Sequence, residues 1–447
     1  MNEPIISSWD WLLGTLYIMA ILFCASLIKK RQIKRDPIYK YFLWGLIAKI
    51  TGAIGLCLIY VYYYSEGGDT LSYHYSARCF VNLLFQSPSD FFNVWLSSPS
   101  SENFYFFNAD TGFPPFYIQQ YEFFMVRLMV PLELIAFKSY LVASVLMAVV
   151  SFTGVWKLYR LFCELYPVLS KYFAFAVLFV PSVVFWGSGI LKDSWTLAAC
   201  GWYCYSFHRV FIKRKNIMAN ITSLVIASIL LVAIKPYIFI AILPGSLIWG
   251  SWAWITGIRN FWLKILVVPF AIIFTILIGI LIWNFSSSRL GSYSSLDAIV
   301  IKAHVSYLDL QKDYYQGNSF DMGDYDPTLT GLLSKFPIAS FTGLFRPFIW
   351  ESQNVVMLFS GSENLFVLFF FFYVFLKSPF SNIKNLFSKP IVLFSLIFAV
   401  FFSFSVAIST SNFGALVRLR IPEIPFFISA LIILNFTGRK EQRDPSA

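Results

Sequence analysis

Charge is scarce in this chain. Only 13% of its 447 residues are Asp, Glu, Lys or Arg, against roughly 25% in a soluble globular protein, and the shortage excludes an ordinary cytoplasmic enzyme. Cysteine is also sparse: Cys24, Cys57, Cys79, Cys163, Cys200 and Cys204 are the only thiols. Of these only Cys79 falls in what reads below as an outer loop, so there is no external disulfide framework and the rest read as packing residues. Several catalytic signatures are missing altogether. There is no Gly-x-x-x-x-Gly-Lys-Ser/Thr cradle, no Gly-x-Gly-x-x-Gly opening a helix after a strand, no His-Glu-x-x-His and no Gly-x-Ser-x-Gly elbow. These absences argue against ATP-driven transport and zincin proteolysis. Internal repeats and low-complexity tracts are lacking too.

Apolar residues are plentiful: 58% of the chain is hydrophobic and 20% aromatic. Runs of about 20 apolar residues recur from end to end, each long enough to cross a hydrocarbon core ~30 Å thick. Lipid cannot satisfy free backbone groups, and the runs are continuous rather than alternating, so they predict helices and not barrel strands. The expected fold is an all-α polytopic membrane protein. Its eleven spans lie near 11–28, 41–63, 139–156, 172–190, 194–212, 217–234, 237–256, 262–284, 354–376, 390–409 and 421–436. The first lacks a preceding basic region and a small-residue cleavage site, so it reads as a retained helix and not a signal peptide.

Lys and Arg set the expected orientation. One set of short connections holds Lys29, Lys30, Arg31, Lys34, Arg35 and Lys40, then Lys157, Arg160 and Lys171, then Arg209, Lys213, Arg214 and Lys215. The same side continues with Arg259 and Lys264, Lys377, Lys384 and Lys389, and Arg439, Lys440 and Arg443. These are most of the 34 basic residues, whereas most of the 23 acidic ones fall on the opposite side. The basic face is expected to be cytoplasmic, with the amino terminus outside and the carboxy terminus inside an inner (plasma) membrane. The net charge of +11 is then a topogenic bias and implies no nucleic acid partner.

Two connections on the outer side are unusually long, at 65–138 and 286–352. The first is rich in Phe, Tyr and Trp, a composition suited to helices in the lipid interface, and juxtamembrane helices are expected over Tyr73 to Phe85 and Ser89 to Leu96. The second is more polar, with Asp309, Asp313, Asp321, Asp324 and Asp326. The Asp321, Asp324 and Asp326 spacing lacks the rest of a calcium loop and reads as a solvated turn.

Charges at span ends cost several kcal/mol unless paired or hydrated, roughly 2.5 to 3.5 on insertion scales. Here they fall at the outer rim: Ser-Glu-Gly-Gly-Asp ending in Asp69, the turn holding Lys192 and Asp193, Lys235, the segment from Arg346 to Glu351, and Arg418 with Arg420. Arg and Lys would hold a phosphate or pyrophosphate, and a partly desolvated carboxylate would take a proton from an attacking hydroxyl. Gly67 and Gly68 permit the sharp turn that presents Asp69. His74 is a further candidate for substrate contact. Each feature also has a plainer reading: Gly-Gly-Asp as a turn, Lys192 with Asp193 as an interfacial pair, Lys235 and Arg418 as snorkelling cations, Arg346 as a clamp for Glu351.

This layout resembles the GT-C superfamily of membrane glycosyltransferases, which includes protein mannosyltransferases and lipid A aminoarabinose transferases. In those proteins a span enters a long outer loop with two juxtamembrane helices, and a second long loop follows the seventh span of the module. The correspondence covers about 41–352, leaving an extra helix and basic loop at 1–40 and carboxy-terminal spans with a short tail at 353–447. The resemblance places the family's catalytic acid on Asp69, although the acidic neighbour usual in protein mannosyltransferases is missing, and a second acid on Asp193. It also implies a polyprenyl-phosphate-linked sugar as donor and a glycan, lipid or protein as acceptor, with membrane lipids around the site.

The resulting expectation is inverting glycosyl transfer. Asp69 is the base, and Lys192, Lys235, Arg418, Arg420 and Arg346 neutralise the departing phosphate. Asp193 either orients Lys192 or helps hold a divalent cation, Mg or Mn. The alternatives are a polysaccharide polymerase or ligase acting through the outer arginines on lipid-pyrophosphate-linked glycans, and a lipid or oligosaccharide transporter. For transport only Lys49 lies deep in a span.

Overall fold

A computed structural model describes residues 5–64, 68–257, 295–312 and 318–443. Among these residues the chain is helical, with no β-strand beyond a single bridge between Ser319 and Asn412. Among the described residues six helices are long and apolar enough to cross a membrane: Ser8–Gln32, Pro37–Tyr62, Tyr140–Leu165, Ile217–Ile234, Val355–Lys377 and Pro390–Ser409. Shorter apolar helices cover Pro167–Leu178, Pro236–Trp252, Phe336–Phe345 and Ile424–Gly438. These features fit a polytopic helical membrane protein. The expected span at 262–284 lies outside the described residues.

The chain divides into two units. Unit 1 holds Met1–Glu164, Leu178–Tyr205 and Val225–Lys235, and unit 2 holds Leu165–Val177, Ser206–Leu224 and Pro236–Ala447.

In unit 1, helix α1 (Ser8–Gln32) opens with a capping box between Ser7 and Asp10 and closes on Lys29, Lys30 and Arg31. These charges complement the two ends of its dipole. Helix α2 (Phe42–Tyr62) runs back toward the first long connection, which is largely helical. It contains α3 (Asp69–Gln86), α4 (Pro88–Leu96) and α5 (Gln120–Ile135). Helices are present where the two juxtamembrane ones were expected, and α3 buries one face while leaving Tyr75, Arg78 and Phe85 exposed. Tyr73, Ala77 and Phe80 are buried against α5, whose Phe123, Val126, Met129 and Val130 recur at helical spacing. Phe91, Phe107 and Tyr117 complete an aromatic cluster around Phe80.

Helix α6 (Tyr140–Leu165) passes through the centre of unit 1. The expected span at 172–190 is broken into Ser170–Phe173, a π turn at Ala174–Leu178 and α7 (Pro181–Trp186), because Pro181 cannot continue the hydrogen-bond ladder. The carbonyls left open at the end of α7 are met by Lys49. Its buried ammonium donates to Gly187 O at 2.7 Å and Val183 O at 3.2 Å, and Ser151 Oγ adds a bond to Gly187 O at 2.6 Å. Lys49, deep in α2, is thus engaged by backbone carbonyls. Helix α8 (Lys192–Phe207) crosses α6 at two glycines: a Cβ on Gly154 would lie 2.2 Å from Ala198 O, and one on Gly201 would lie 2.0 Å from Gly154 O. Such small residues permit close backbone approach in lipid, where no hydrophobic force drives helices together. Helix α9 (Ile217–Ile234) ends at Lys235.

Unit 2 is built on phenylalanine. Helices α10 (Pro236–Gly257), α11 (Leu296–Asp309), α12 (Phe336–Phe345), α13 (Val355–Lys377), α14 (Pro379–Ser388), α15 (Pro390–Ser409), α16 (Phe413–Leu419) and α17 (Ile424–Arg443) follow in order. Phe394, Phe398 and Phe402 line one face of α15, and Phe426 meets the first two edge-on at 5.8 and 5.1 Å. Helix α12 lies in the segment read from sequence as the second outer loop, yet it is apolar and packs on α15.

Candidate functional site

Asp69 is the first residue of α3, half-buried, and Gly68 before it has φ +133°. That conformation favours glycine, and a Cβ there would meet the Tyr60 ring at 2.7 Å. A carboxylate at a helix start is favoured by the dipole, and every fourth position shares its face. Tyr73 therefore follows Asp69 on one face of α3, while Thr70 and His74 share the next.

The Tyr73 hydroxyl donates to Glu122 Oε2. The other oxygen of Glu122 lies 2.5 Å from the Lys192 ammonium, which is 14% exposed. Burial works against the charge of Lys192; Glu122 and Asp69 work for it, and Lys235 against it. Residues from α3, α5 and α8 thus meet at one end of unit 1.

Asp193 makes a different pair. Its carboxylate accepts from Lys235 Nζ at 2.5 Å, with side-chain exposures of 1% and 8%. This corrects the expectation that Asp193 orients Lys192. Consecutive helical residues point about a quarter turn apart, so Lys192 faces Glu122 on α5 while Asp193 faces Lys235 at the end of α9. A divalent cation fits poorly here, since Glu122 and Asp193 each already hold an ammonium. Among the described residues no three His, Cys, Asp or Glu side chains gather as metal ligands.

His74 is buried, with Nδ1 3.0 Å from Glu133 Oε2 and its ring 5.1 Å from that of Tyr140. The Tyr140 hydroxyl donates to Thr70 at 2.8 Å. His74 therefore ties α3 to α5 and α6 beneath the Asp69 end.

The other candidates belong to unit 2. The Arg346 guanidinium forks onto Glu351, with Nε 3.0 and 3.2 Å from its two oxygens, and lies over the rings of Phe320 and Phe413 at 5.4 and 5.1 Å. Glu351 also accepts from the Phe348 backbone at 2.8 Å. Arg420 is wholly buried. Its Nη1 donates to the carbonyls of Gly343, Leu344 and Arg346 at 3.0, 3.3 and 2.9 Å, and its Nη2 to Asn364 Oδ1. It thus satisfies the open end of α12. This corrects its expected place among phosphate-facing cations, because both terminal nitrogens are spent on the protein. Arg418 is half-buried in the last turn of α16.

In the second long connection, Gly323 N–H and the Tyr307 hydroxyl donate to Asp321 at 2.7 and 3.0 Å and hold its carboxyl below the usual range. Burial pushes the Tyr307 phenol up to about 12. Asp313 lies outside the described residues, as do Ser65, Glu66 and Gly67.

Unit 1 therefore contains Asp69, His74, Lys192, Asp193 and Lys235, and unit 2 contains Arg346, Glu351, Arg418 and Arg420. Sequence reasoning missed Glu122 and Tyr73. Glu122 opens a stretch whose apolar positions recur every three or four residues, and that periodicity marks α5 despite Pro131. Compared with protein-family models, curated proteins and solved structures, the chain matches none.

Proposed function

We propose that the chain is a membrane glycosyltransferase. It transfers a sugar from a polyprenyl-phosphate donor to a glycan, lipid or protein acceptor at the extracytoplasmic face of a bacterial-type inner membrane. The proposed topology has eleven spans with the amino terminus outside, and under it the Asp69 end of unit 1 faces that side. The observation that carries this reading is the chain from Lys192 through Glu122 to Tyr73, which ties an ammonium on α8 to α3, the helix that Asp69 opens, at one end of a helical unit. In the transfer, the acceptor oxygen attacks the anomeric carbon and its proton passes to Asp69. The bond from that carbon to the phosphate oxygen breaks, and the polyprenyl phosphate departs with its electron pair toward Lys192. Lys235, neutralised by Asp193, supports the Lys192 turn from below.

Asp69→Asn keeps the size of the side chain and removes the base. Transfer of a radiolabelled sugar from lipid donor should fall by at least about a hundredfold, with membrane insertion intact; unchanged turnover refutes the assignment.

An arginine-centred polymerase or ligase draws less support, because Arg420 is committed to backbone carbonyls and Arg346 to Glu351. Transport is also weakly supported, as the deep Lys49 closes a helix end.

A further inference from the structure

The Lys192 ammonium does not stand open to an incoming anion. Glu122 Oε1 sits 2.5 Å from it, and Glu122 is held from behind by Tyr73. Glu122 is 24% and Lys192 14% exposed, so the pair is partly open and can be reached. By contrast, Asp193 and Lys235 are sealed, at 1% and 8%. The two ion pairs therefore differ in kind. One is a buried structural tie. The other is a cation whose partner a ligand can replace.

We propose that Glu122 is an internal competitor for the anionic headgroup: a lipid phosphate binds Lys192 by displacing the Glu122 carboxylate, which stays close by on the Tyr73 hydroxyl and returns to expel the phosphate product. This rests on the reading of Lys192 as the phosphate cation. The exchange is one of ion-pair partners and involves no covalent step. The Glu122 carboxylate and the phosphate repel each other and seek the same ammonium, so the free energy of phosphate binding is reduced by the strength of the pair that must break. Tyr73 tunes the competition, because a hydroxyl donating to one carboxylate oxygen weakens the hold of the other on Lys192. Its position one helical turn beyond Asp69 couples the exchange to the face that carries the base. Glu122 is thus a positioning residue, acting through Lys192.

The test measures binding without turnover. Full-length protein in nanodiscs of phosphatidylcholine is titrated with polyprenyl monophosphate and, in parallel, with inorganic phosphate. Glu122→Gln removes the competing charge at nearly constant volume, and affinity for both probes should rise about five- to tenfold, the equivalent of roughly 1 to 1.4 kcal/mol. Donor KM and kcat should both fall as product leaves more slowly. Tyr73→Phe should shift affinity the other way, because Glu122 then holds Lys192 more firmly; this second variant serves where the first does not fold. Enhancement confined to the lipid probe would still support the exchange and show that the prenyl chain is needed to seat the headgroup. Unchanged or weaker binding in Glu122→Gln, with wild-type binding that Lys192→Gln lowers, overturns the competitor role and leaves the phosphate cation standing. Wild-type protein that binds neither probe overturns both.

Discussion

Removing either Asp193 or Lys235 breaks an ion pair in a nearly water-free position, and the cost of breaking such a pair is about 3 to 5 kcal/mol. Asp193→Ala and Lys235→Met should each lower the unfolding midpoint in detergent, while Asp193→Leu combined with Lys235→Met should recover most of the loss. A double variant as unstable as the sum of the singles would show that the two groups act independently. The adjacent Lys192 pairs instead with Glu122 on α5. Residue types and the place of these charges at helix ends were legible in the sequence; their pairing was not. Spacing along one chain cannot reveal that Lys192 looks toward α5 and Asp193 toward α9, because pairing depends on how three helices are rotated about their axes. Arg420 shows the same limit. An arginine at a span end has the composition of a phosphate clamp, and only the open carbonyls of α12 reveal what its nitrogens bind.

Among helices, the α6–α8 crossing depends on the absence of side chains. Gly154→Ala places a methyl group 2.2 Å from Ala198 O, so the helices must separate, at a cost of about 1 to 3 kcal/mol or more. Gly55→Ala is the control, since its nearest neighbour would be an ordinary contact with Phe185 at 3.8 Å. Thermal unfolding in detergent should be lowered by the first and unchanged or raised by the second; equal behaviour would mean that the crossing is not tightly packed. Long apolar runs such as Ile217–Ile234 and Pro390–Ser409 matched their sequence reading closely, because the bilayer imposes one length on every crossing. Elements that obey tertiary packing were harder to read. Helix α5 sets Glu122, Arg127 and Glu133 among its apolar residues and is interrupted by Pro131, and α7 is too short to show periodicity. Helix α14 buries Asn382, whose amide donates to Val374 O, while exposing Phe380, Ile383 and Phe387. Its polarity is the reverse of a soluble helix, which suits a connection lying against lipid.

For the whole chain, the proposed topology assigns each connection to a side. Tyr105, 87% exposed, lies in the first long connection, and Lys215 lies in a basic turn. With the six native cysteines replaced by serine or alanine, Tyr105→Cys should react with a membrane-impermeant maleimide added to spheroplasts, and Lys215→Cys only after lysis. The opposite pattern would invert the orientation and remove the extracytoplasmic site. The native background is low in any case, as five of the six thiols are buried and Cys24 falls within α1. Composition and the asymmetry of basic residues were enough to give class and a sidedness hypothesis. The division into two units was not legible, since each unit draws on separate stretches of sequence and nothing in composition changes where the chain passes between them.

Gly68 has a consequence for how this protein tolerates change. Its backbone lies against the ring of Tyr60, in the last turn of α2, so Asp69 is registered to the helix that precedes it as well as to α3, which it opens. Insertions or deletions between α4 and α5 that spare the buried Phe107 and Tyr117 should therefore leave the depth of Asp69 unchanged. A bulkier residue at position 68 would detach the acid from that reference with every polar group still in place.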